Sequence, residues 1–365
     1  MPVASPVARA LLSGEPVLAT ADELVGLLPE GEARDLLELL GPTSAAVLPI
    51  RGRGRTLGLR TLYHCSDRIA EESLSTARDV VDRAGMAMDN ARLYSAQQQL
   101  AEGLQRSLLT EPPQPDHGQI AVRYLPAAEA ARVGGDWYDA FLQRNGSTVL
   151  VIGDVVGHDT AAAAAMGQLR GLLRGIATYG EVPPAEILRG LDESMTTLQI
   201  TTLATAAVAR FEQTPDELER GITRMRWANA GHLPPLVLQA DGRVTELAGW
   251  EGDLLLGVDP DVARREHVAT LDRGATVLLY TDGLVERRDS DLDEGLTRLR
   301  ETLAELADLP LEEMLDEVLE RLVQGRPEDD VAVVAVRLHR QDRPRPAEAG
   351  PNDVPPNVPT EPLAP

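Results

Sequence analysis

Four short acidic motifs contain the residues of this chain whose types and spacing are suited to chemistry. They are Gly134-Gly135-Asp136-Trp137-Tyr138-Asp139, Gly153-Asp154-Val155-Val156-Gly157-His158, Thr281-Asp282-Gly283 and Asp329-Asp330. Each motif places a carboxylate in a glycine-bearing turn or at one end of an apolar run. Hard divalent cations prefer oxygen ligands of this kind when several converge. The motifs therefore predict a metal site.

Apolar runs that are typical of β-strands carry these carboxylates at their ends. One run ends at Asp154 and another at Asp282, whereas Asp329 and Asp330 precede a third, Val331–Val336. In antiparallel neighbours the end of one strand lies beside the start of the next. The carboxylates can therefore meet at one edge of a sheet.

A single motif of this kind is weak evidence. Asp is common in turns, where its side chain bonds nearby backbone N–H groups, and the chain has 58 acidic residues, so chance matches are expected. The combination is stronger because the paired glycines before Asp136 let backbone approach a bound ion closely. Clustered carboxylates without cations would repel one another, so bound metal is the economical explanation.

Composition narrows the class of protein. Among 365 residues, 58 are acidic and 35 basic, for a net charge of −23, and every basic residue is Arg. Nucleic acid is not an expected partner, because binding it requires a basic face. Cys65 is the sole cysteine, and no signal-peptide pattern begins the chain. No run approaches the roughly 18 to 20 apolar residues of a membrane span, so we expect a cytoplasmic protein without a membrane partner.

Residues 1–72 predict a small mixed unit. A helix is expected at Glu32–Leu40, followed by a β-hairpin made of Ala45–Ile50 and Thr56–Leu62.

The pattern of residues 73–110 predicts a long linker helix without proline. Its apolar side chains recur at spacings of three and four, at Leu74, Ala77, Val81, Ala84, Met88 and Ala91. This repeat favours a coiled coil that would form a homodimer, and the alternative is an amphipathic helix packed on its own domain.

Residues 111–340 predict the main domain, which begins after Glu111-Pro112-Pro113 stops the helix. Strands are expected at Ile120–Tyr124, Thr148–Ile152, Thr202–Phe211, Arg224–Ala228, Pro235–Gln239, Ala275–Tyr280 and Val331–Leu338. Helices are expected at Thr160–Tyr179, Pro184–Leu198, Leu292–Leu306 and Leu311–Val323. Blocks of strands joined by turns favour an α+β fold with antiparallel sheets over a doubly wound parallel sheet.

Residues 341–365 hold eight prolines and almost no large apolar side chain, which predicts a disordered tail.

Several motifs in order resemble the PPM-type metal-dependent protein phosphatases, specifically their bacterial SpoIIE-like branch. The resemblance covers about residues 100 to 340. It is carried by Leu104–Leu109, Val133–Asp139, Gly153–His158, Asn229-Ala230-Gly231-His232, Tyr280–Gly283 and Asp329-Asp330-Val331. Ahead of it, Ser44–Leu93 resembles the closing half of a GAF domain, so the N-terminal unit is similar to a truncated sensor.

The resemblance implies an antiparallel β-sandwich flanked by helices, with two Mn²⁺ or Mg²⁺ ions at one end. The implied ligands are the carboxylates of Asp136, Asp154, Asp282 and Asp329 and the carbonyl oxygen of Val155. Asp154 would bridge both ions. Asp329 is the preferred ligand of its pair and Asp330 a hydrogen-bonding neighbour, although the two roles can be exchanged.

The activity implied by the resemblance is hydrolysis of phosphoserine or phosphothreonine by a water that the two ions activate. The implied substrate is a phosphorylated regulatory protein, an anti-sigma-factor antagonist. One alternative is a catalytically silent signalling scaffold of the same fold. Another is a different two-metal phosphoester hydrolase, such as a phosphodiesterase, although such sites generally mix His with carboxylates.

Two histidines and one departure from the family pattern complete the candidates. His158 and His232 each follow a glycine, and each is either a proton donor to the leaving alkoxide or a structural turn histidine; the structural role is favoured. Trp137 and Tyr138 are expected to pack beside Asp136. Asp159 stands where the family usually has Gly, and it can cap the helix that follows.

Overall fold

In this computed structural model the chain divides into two units, Met1–Gln98 and Gln99–Pro365. The structure describes residues 5–108, 110–127, 134–157, 160–248, 253–287, 291–323, 325, 327–339, 344–356 and 358. Within these ranges, no helix combines the length and apolar character needed to cross a bilayer.

The N-terminal unit contains a three-stranded antiparallel sheet with short helices. Its elements are α1 Pro6–Ser13, β1 Val17–Thr20, α2 Ala21–Val25, α3 Glu32–Leu40, β2 Ser44–Gly52, β3 Arg55–His64 and the start of α4 Glu71–Leu108. The strands lie in the order β1-β2-β3. The predicted hairpin corresponds to β2 and β3, which pair from Ser44↔His64 to Gly52↔Arg55.

The first half of α4 packs on this sheet along one face. Val81, Gly85 and Asp89 are buried at intervals of four residues, and Asp89 Oδ2 accepts the Arg53 N–H at 2.9 Å. A Cβ added at Gly85 would lie 2.2 Å from a carbonyl oxygen of β2, so only glycine permits this approach. Of the predicted coiled-coil positions, Val81 is thus buried in its own unit, whereas Met88 is 50% exposed.

The C-terminal unit is built on two five-stranded sheets whose neighbouring strands are all antiparallel. The strands are β4 Gly118–Leu125, β5 Asp136–Leu142, β6 Thr148–Val155, β7 Ala204–Glu212, β8 Ile222–Ala230, β9 Leu236–Leu238, β10 Val244–Glu246, β11 His267–Asp272, β12 Thr276–Tyr280 and β13 Val331–Leu338. One sheet has the order β10-β9-β12-β13-β4 and the other β11-β8-β7-β6-β5.

The two sheets pack face to face, and helices cover their outer faces. The helices are α5 Thr160–Gly180, α6 Pro184–Thr197, α7 Pro215–Arg220, α8 Leu292–Glu305 and α9 Leu311–Leu322. Alternate residues of each strand point to opposite faces. Leu150 and Ile152 of β6 therefore join the core between the sheets, while Val149 and Val151 pack with α5 and α6. On the far side, β12 and β13 pack with α8 and α9. The predicted α+β sandwich flanked by helices is confirmed.

Part of the proline-rich C-terminal segment is ordered, which differs from the disorder expected from its composition. Asp353 forms a backbone bridge with Gln114, and the Arg345 guanidinium donates to the carbonyl of Gly118 at 3.1 Å. It also donates to the Pro115 carbonyl. Backbone hydrogen bonds and one arginine hold this segment, which is why a criterion based on apolar side chains does not detect it.

Candidate metal centre

Three of the predicted carboxylates come together where strands of the sandwich begin and end. Asp136 opens β5 and lies directly opposite Asp154 of β6 in the antiparallel register. Asp282 begins a single 3₁₀ turn, Asp282–Leu284, two residues after β12. One carboxylate oxygen from each of the three residues lies within 4.8 Å of the other two. Residues from both sheets thus converge at one end of the sandwich.

The paired glycines before Asp136 allow the backbone to approach this cluster. A Cβ added at Gly134 would lie 1.0 Å from Asp330 Oδ2. At Gly135 it would lie 2.2 Å from the Val155 carbonyl oxygen and 2.9 Å from Asp154 Oδ1. No side chain fits at either position, so the requirement for glycine is steric. The Val155 carbonyl oxygen and the Asp154 carboxylate therefore both border Gly135, as joint ligation by these two residues would require.

Asp136 is a buried carboxylate that the protein leaves incompletely satisfied. The residue is 3% exposed, and its Oδ2 has no hydrogen-bond partner among the described residues. Burial, followed by the charge of Asp154, raises the pKa of Asp136 well above its ordinary value. Buried polar atoms normally have a partner, and a bound cation would supply the partner that this oxygen lacks.

The neighbouring carboxyl groups also have raised pKa values. Burial raises the pKa of Asp154 to about 7, and the charges of Asp282 and Asp329 reinforce the rise. The neighbouring Asp136 carboxyl acts in the opposite direction and lowers the pKa of Asp154. Burial also raises the pKa of Asp282, with contributions from Asp329 and Glu286. Cations would relieve this repulsion, and an all-oxygen ligand set suits hard divalent ions.

Asp329 and Asp330 have different environments. Asp330 is 2% exposed; its Oδ2 accepts the Tyr124 O–H at 2.6 Å and its Oδ1 accepts the Ala127 N–H at 2.8 Å. Asp329 is exposed, and its Oδ1 accepts the Asp330 N–H at 2.8 Å. Neither belongs to the group of three converging carboxylates. The protein donors on Asp330 are consistent with a supporting role, and the assignment of Asp329 as the ligand stays a prediction.

His232 is held in the fold by both ring nitrogens. Nδ1 lies 2.7 Å from Thr205 Oγ1, and Nε2 lies 3.1 Å from the Tyr280 carbonyl oxygen. A carbonyl can only accept, so Nε2 carries the proton and Nδ1 accepts from the hydroxyl. Burial lowers the pKa of His232 to about 4. A neutral ring with both nitrogens engaged fits the structural role and not that of a proton donor.

Other residues near the cluster support it. Trp137 is fully buried, and a Cβ added at Gly153 would lie 2.3 Å from its ring, so Trp137 packs as expected. Asn229 accepts the His232 N–H and donates to the His232 carbonyl, both at 2.7 Å. Sequence reasoning assigned Asn229 and Tyr124 no role, because each acts through a partner that only the fold brings near. His158 and Asp159 lie outside the described residues.

Comparison with known proteins places both parts of the chain. Residues 144–339 match the family of stage II sporulation protein E (SpoIIE), and residues 1–88 match the GAF domain. Phosphoserine phosphatase RsbU of Bacillus subtilis is 25% identical over 240 residues, which cover 63% of this chain and 68% of RsbU. Protein IcfG of Synechocystis is 26% identical over 250 residues, which cover 60% of this chain and 37% of IcfG.

Solved structures agree with this result. The RsbU and RsbW domains of Rv1364c from Mycobacterium tuberculosis superpose with a TM-score of 0.57 at 32% identity, over 65% of this chain and 64% of that one. The SiaA PP2C domain of Pseudomonas aeruginosa superposes with a TM-score of 0.55 at 20% identity, over 69% of this chain and 98% of that one. The second likeness shows the fold alone. The chain thus spans less than two thirds of the mycobacterial protein chain.

Proposed function

The chain belongs to the SpoIIE family of PP2C-type serine/threonine protein phosphatases, and from this premise we propose that it removes phosphate from a phosphorylated regulatory protein in the cytoplasm. The observation that carries the proposal is the group formed by the buried Asp136 and the half-buried Asp154 and Asp282, whose oxygens converge within 4.8 Å. A silent scaffold would gain nothing from carboxylates that repel one another in this way.

The family is metal-dependent, and we propose that the chain holds two Mn²⁺ or Mg²⁺ ions. The ligands would be the carboxylates of Asp136, Asp154, Asp282 and Asp329 and the carbonyl oxygen of Val155. When bound, divalent ions of this kind activate a water for attack on phosphorus and neutralise charge on the phosphoryl oxygens.

The chain's own residues would orient these ligands. Asp154, opposite Asp136 in the sheet, would contact both ions. Asp330 would not ligate directly; it would hold the adjoining turn by accepting from Tyr124 and Ala127. His232 would keep the β8 end in place as a neutral hydrogen-bonded ring.

The substrate that we propose is an anti-sigma-factor antagonist carrying phosphoserine or phosphothreonine. Two relatives support it: the Bacillus protein is by name a phosphoserine phosphatase, and the mycobacterial chain joins RsbU and RsbW domains in one structure. Asp329, whose charge acts on Asp154 and Asp282, is exposed to solvent.

The GAF-like unit and the linker helix would regulate this activity, and residues 73–110 would form the contact of a homodimer. Val80, Met88, Leu93 and Tyr94 of α4 are all at least 46% exposed and are available for this contact. Light scattering on the chain and on a Met88→Glu, Leu93→Glu variant tests it. A dimer that becomes a monomer agrees with the proposal, and a monomeric parent contradicts it.

Phosphatase activity is tested with p-nitrophenyl phosphate and a phosphoserine peptide in MnCl₂, MgCl₂ or EDTA. We expect hydrolysis with metal and none with EDTA. Asp154→Asn and Asp282→Asn should each lower kcat/KM by at least about 100-fold, since each removes charge at the reacting centre. Asp272→Asn, at the exposed end of β11, is the matched control. An inactive, metal-loaded parent would refute the enzyme, and full activity of both cluster variants would refute the site.

A further inference from the structure

An exposed apolar rim borders the carboxylate cluster. It consists of Val156, Leu203 and Val258, which are 58%, 39% and 49% exposed. Single exposed apolar residues are ordinary on a protein surface. These three, however, come from segments that lie side by side next to Asp154.

The register of β6 and β7 places two of them on the same face as Asp154. The Val156 N–H donates to the Leu203 carbonyl at 2.9 Å, which extends the pairing of Val155 with Ala204 by one position. Residues directly opposite in an antiparallel pair have neighbouring side chains on one face. Residues two apart along a strand also share a face, so Val156 and Leu203 stand beside Asp154.

The third member of the rim lies on the adjacent segment. Leu256 and Ala204 form an antiparallel bridge in which the Leu256 N–H donates to the Ala204 carbonyl at 2.8 Å. A Cβ added at Gly257 would lie 3.5 Å from Leu203 Cδ2. Gly257 therefore lies beside the Leu203 side chain, and Val258 is the next residue of this segment.

A buried ion pair fixes this segment. The side chains of Arg264 and Asp192 are 2% and 1% exposed, and their charged atoms lie 2.8 Å apart. Asp192 Oδ1 also accepts the Gly257 N–H at 3.1 Å, and Arg264 donates to the Leu255 carbonyl at 3.3 Å. A surface held in this way loses little conformational freedom when it binds a partner.

The side chains of the rim differ from those on the Asp282 side of the cluster. Glu286, whose N–H donates to the Asp282 carbonyl at 2.7 Å, and Asp329 both carry exposed carboxylates. The three side chains of the rim are aliphatic, and the exposed Asp259 follows Val258 along the chain. An apolar side chain is thus the group that the rim can bind.

We propose that the apolar rim binds an apolar side chain next to the phosphorylated residue of the protein substrate and so contributes to specificity. This inference rests on the proposed phosphatase function, whose phosphoryl group would lie at Asp154. Burying one aliphatic side chain contributes about 1.5 kcal/mol, or roughly a tenfold preference.

The test compares two phosphoserine peptides that differ only in the residues flanking phosphoserine, Leu in one and Ser in the other. The full-length, Mn²⁺-loaded chain should hydrolyse the Leu peptide with a kcat/KM about tenfold higher, mostly through KM, since docking binds ground and transition states alike. Val156→Ser and Leu203→Ser should each reduce this preference to about twofold or less.

Val268→Ser is the matched control. Val268 is 56% exposed on β11. It pairs with Arg226 of β8, which pairs with Arg210 of β7, which in turn pairs with Val149 of β6. Val149 lies five positions before Asp154, so Val268 is far from the rim along the sheet. It should leave the peptide preference unchanged. Circular dichroism melting of each variant checks that it folds.

The outcomes separate the two hypotheses. A parent that hydrolyses neither peptide nor p-nitrophenyl phosphate refutes the proposed function. Equal kcat/KM for the two peptides, or a preference that survives in Val156→Ser and Leu203→Ser, overturns the apolar rim while leaving the phosphatase intact. Loss of the preference in Val268→Ser as well would also overturn it, because the effect would then not depend on position.

Discussion

Replacing Asp154 by Asn should stabilise the metal-free protein at alkaline pH. Asn is nearly isosteric but carries no charge, so it removes the repulsion between neighbouring carboxylates. The folded-state pKa of Asp154 is about 7, against an ordinary value of 3.8. A difference of about three units corresponds to about 4 kcal/mol, since each unit is about 1.4 kcal/mol. This is the upper limit of the stabilisation.

The effect should depend on pH in one direction. A carboxyl whose pKa is raised in the folded state holds its proton more tightly there than in the unfolded chain. Ionisation therefore destabilises the fold progressively between pH 3.8 and about 7. The advantage of Asp154→Asn should be largest at pH 8 and disappear near pH 4. Divalent cations should stabilise the parent by about 2.7 kcal/mol at 100 times the Kd and the variant by less.

Urea unfolding in EDTA, followed by tryptophan fluorescence, measures this prediction. The chain has three Trp residues, at positions 137, 227 and 250, so fluorescence reports on the C-terminal unit. With an m-value of about 3 kcal/mol/M, a stabilisation of 2 to 4 kcal/mol moves the midpoint by about 1 M. Asp272→Asn serves as control. A lower midpoint for Asp154→Asn at pH 8, or a difference that does not change with pH, would refute the electrostatic account.

Three further predictions follow from the same geometry. Gly134→Ala should lower stability by about 1–3 kcal/mol and weaken Mn²⁺ binding in calorimetry, because Asp330 must move, whereas Gly171→Ala, in open space, should do neither. The Mn²⁺ affinity should fall about tenfold per pH unit below pH 7 for each proton displaced; a pH-independent affinity would contradict this. Arg264→Ala should cost about 3–5 kcal/mol in urea unfolding by leaving Asp192 buried and unpaired, and an unchanged midpoint would show that the pair is not needed.

The positions of the strand-end carboxylates could be predicted because their strands are recognisable locally. The apolar runs before Asp154 and Asp282 are long enough to identify as strands. The strand β5, Asp136–Leu142, is different: all seven of its residues are buried, yet it begins with Asp-Trp-Tyr-Asp. A strand covered on both faces has no polar alternation to reveal it, so the sequence does not predict it.

Contacts that depend on the assembled fold could not be predicted. Tyr124 and Asp330 are 206 residues apart and meet only because β4 and β13 are neighbours. Gly134 was expected to give access to an ion, but the space that a side chain there would fill is occupied by the Asp330 carboxylate. Local patterns therefore predicted the three carboxylates that converge, Asp136, Asp154 and Asp282, and strand order determined which protein groups lie around them.

The direct pairing of Asp136 with Asp154 has a consequence for amide hydrogen exchange. The last rung of the β5–β6 ladder pairs two carboxyl groups, Asp136 and Asp154, and is weakened when both are ionised, while the rungs from Trp137↔Gly153 to Leu142↔Thr148 pair no like charges. Deuterium should therefore enter the chain first at this end of the ladder when cations are absent. The exchange rate of these few amides would then report whether metal is bound at this end of β5 and β6.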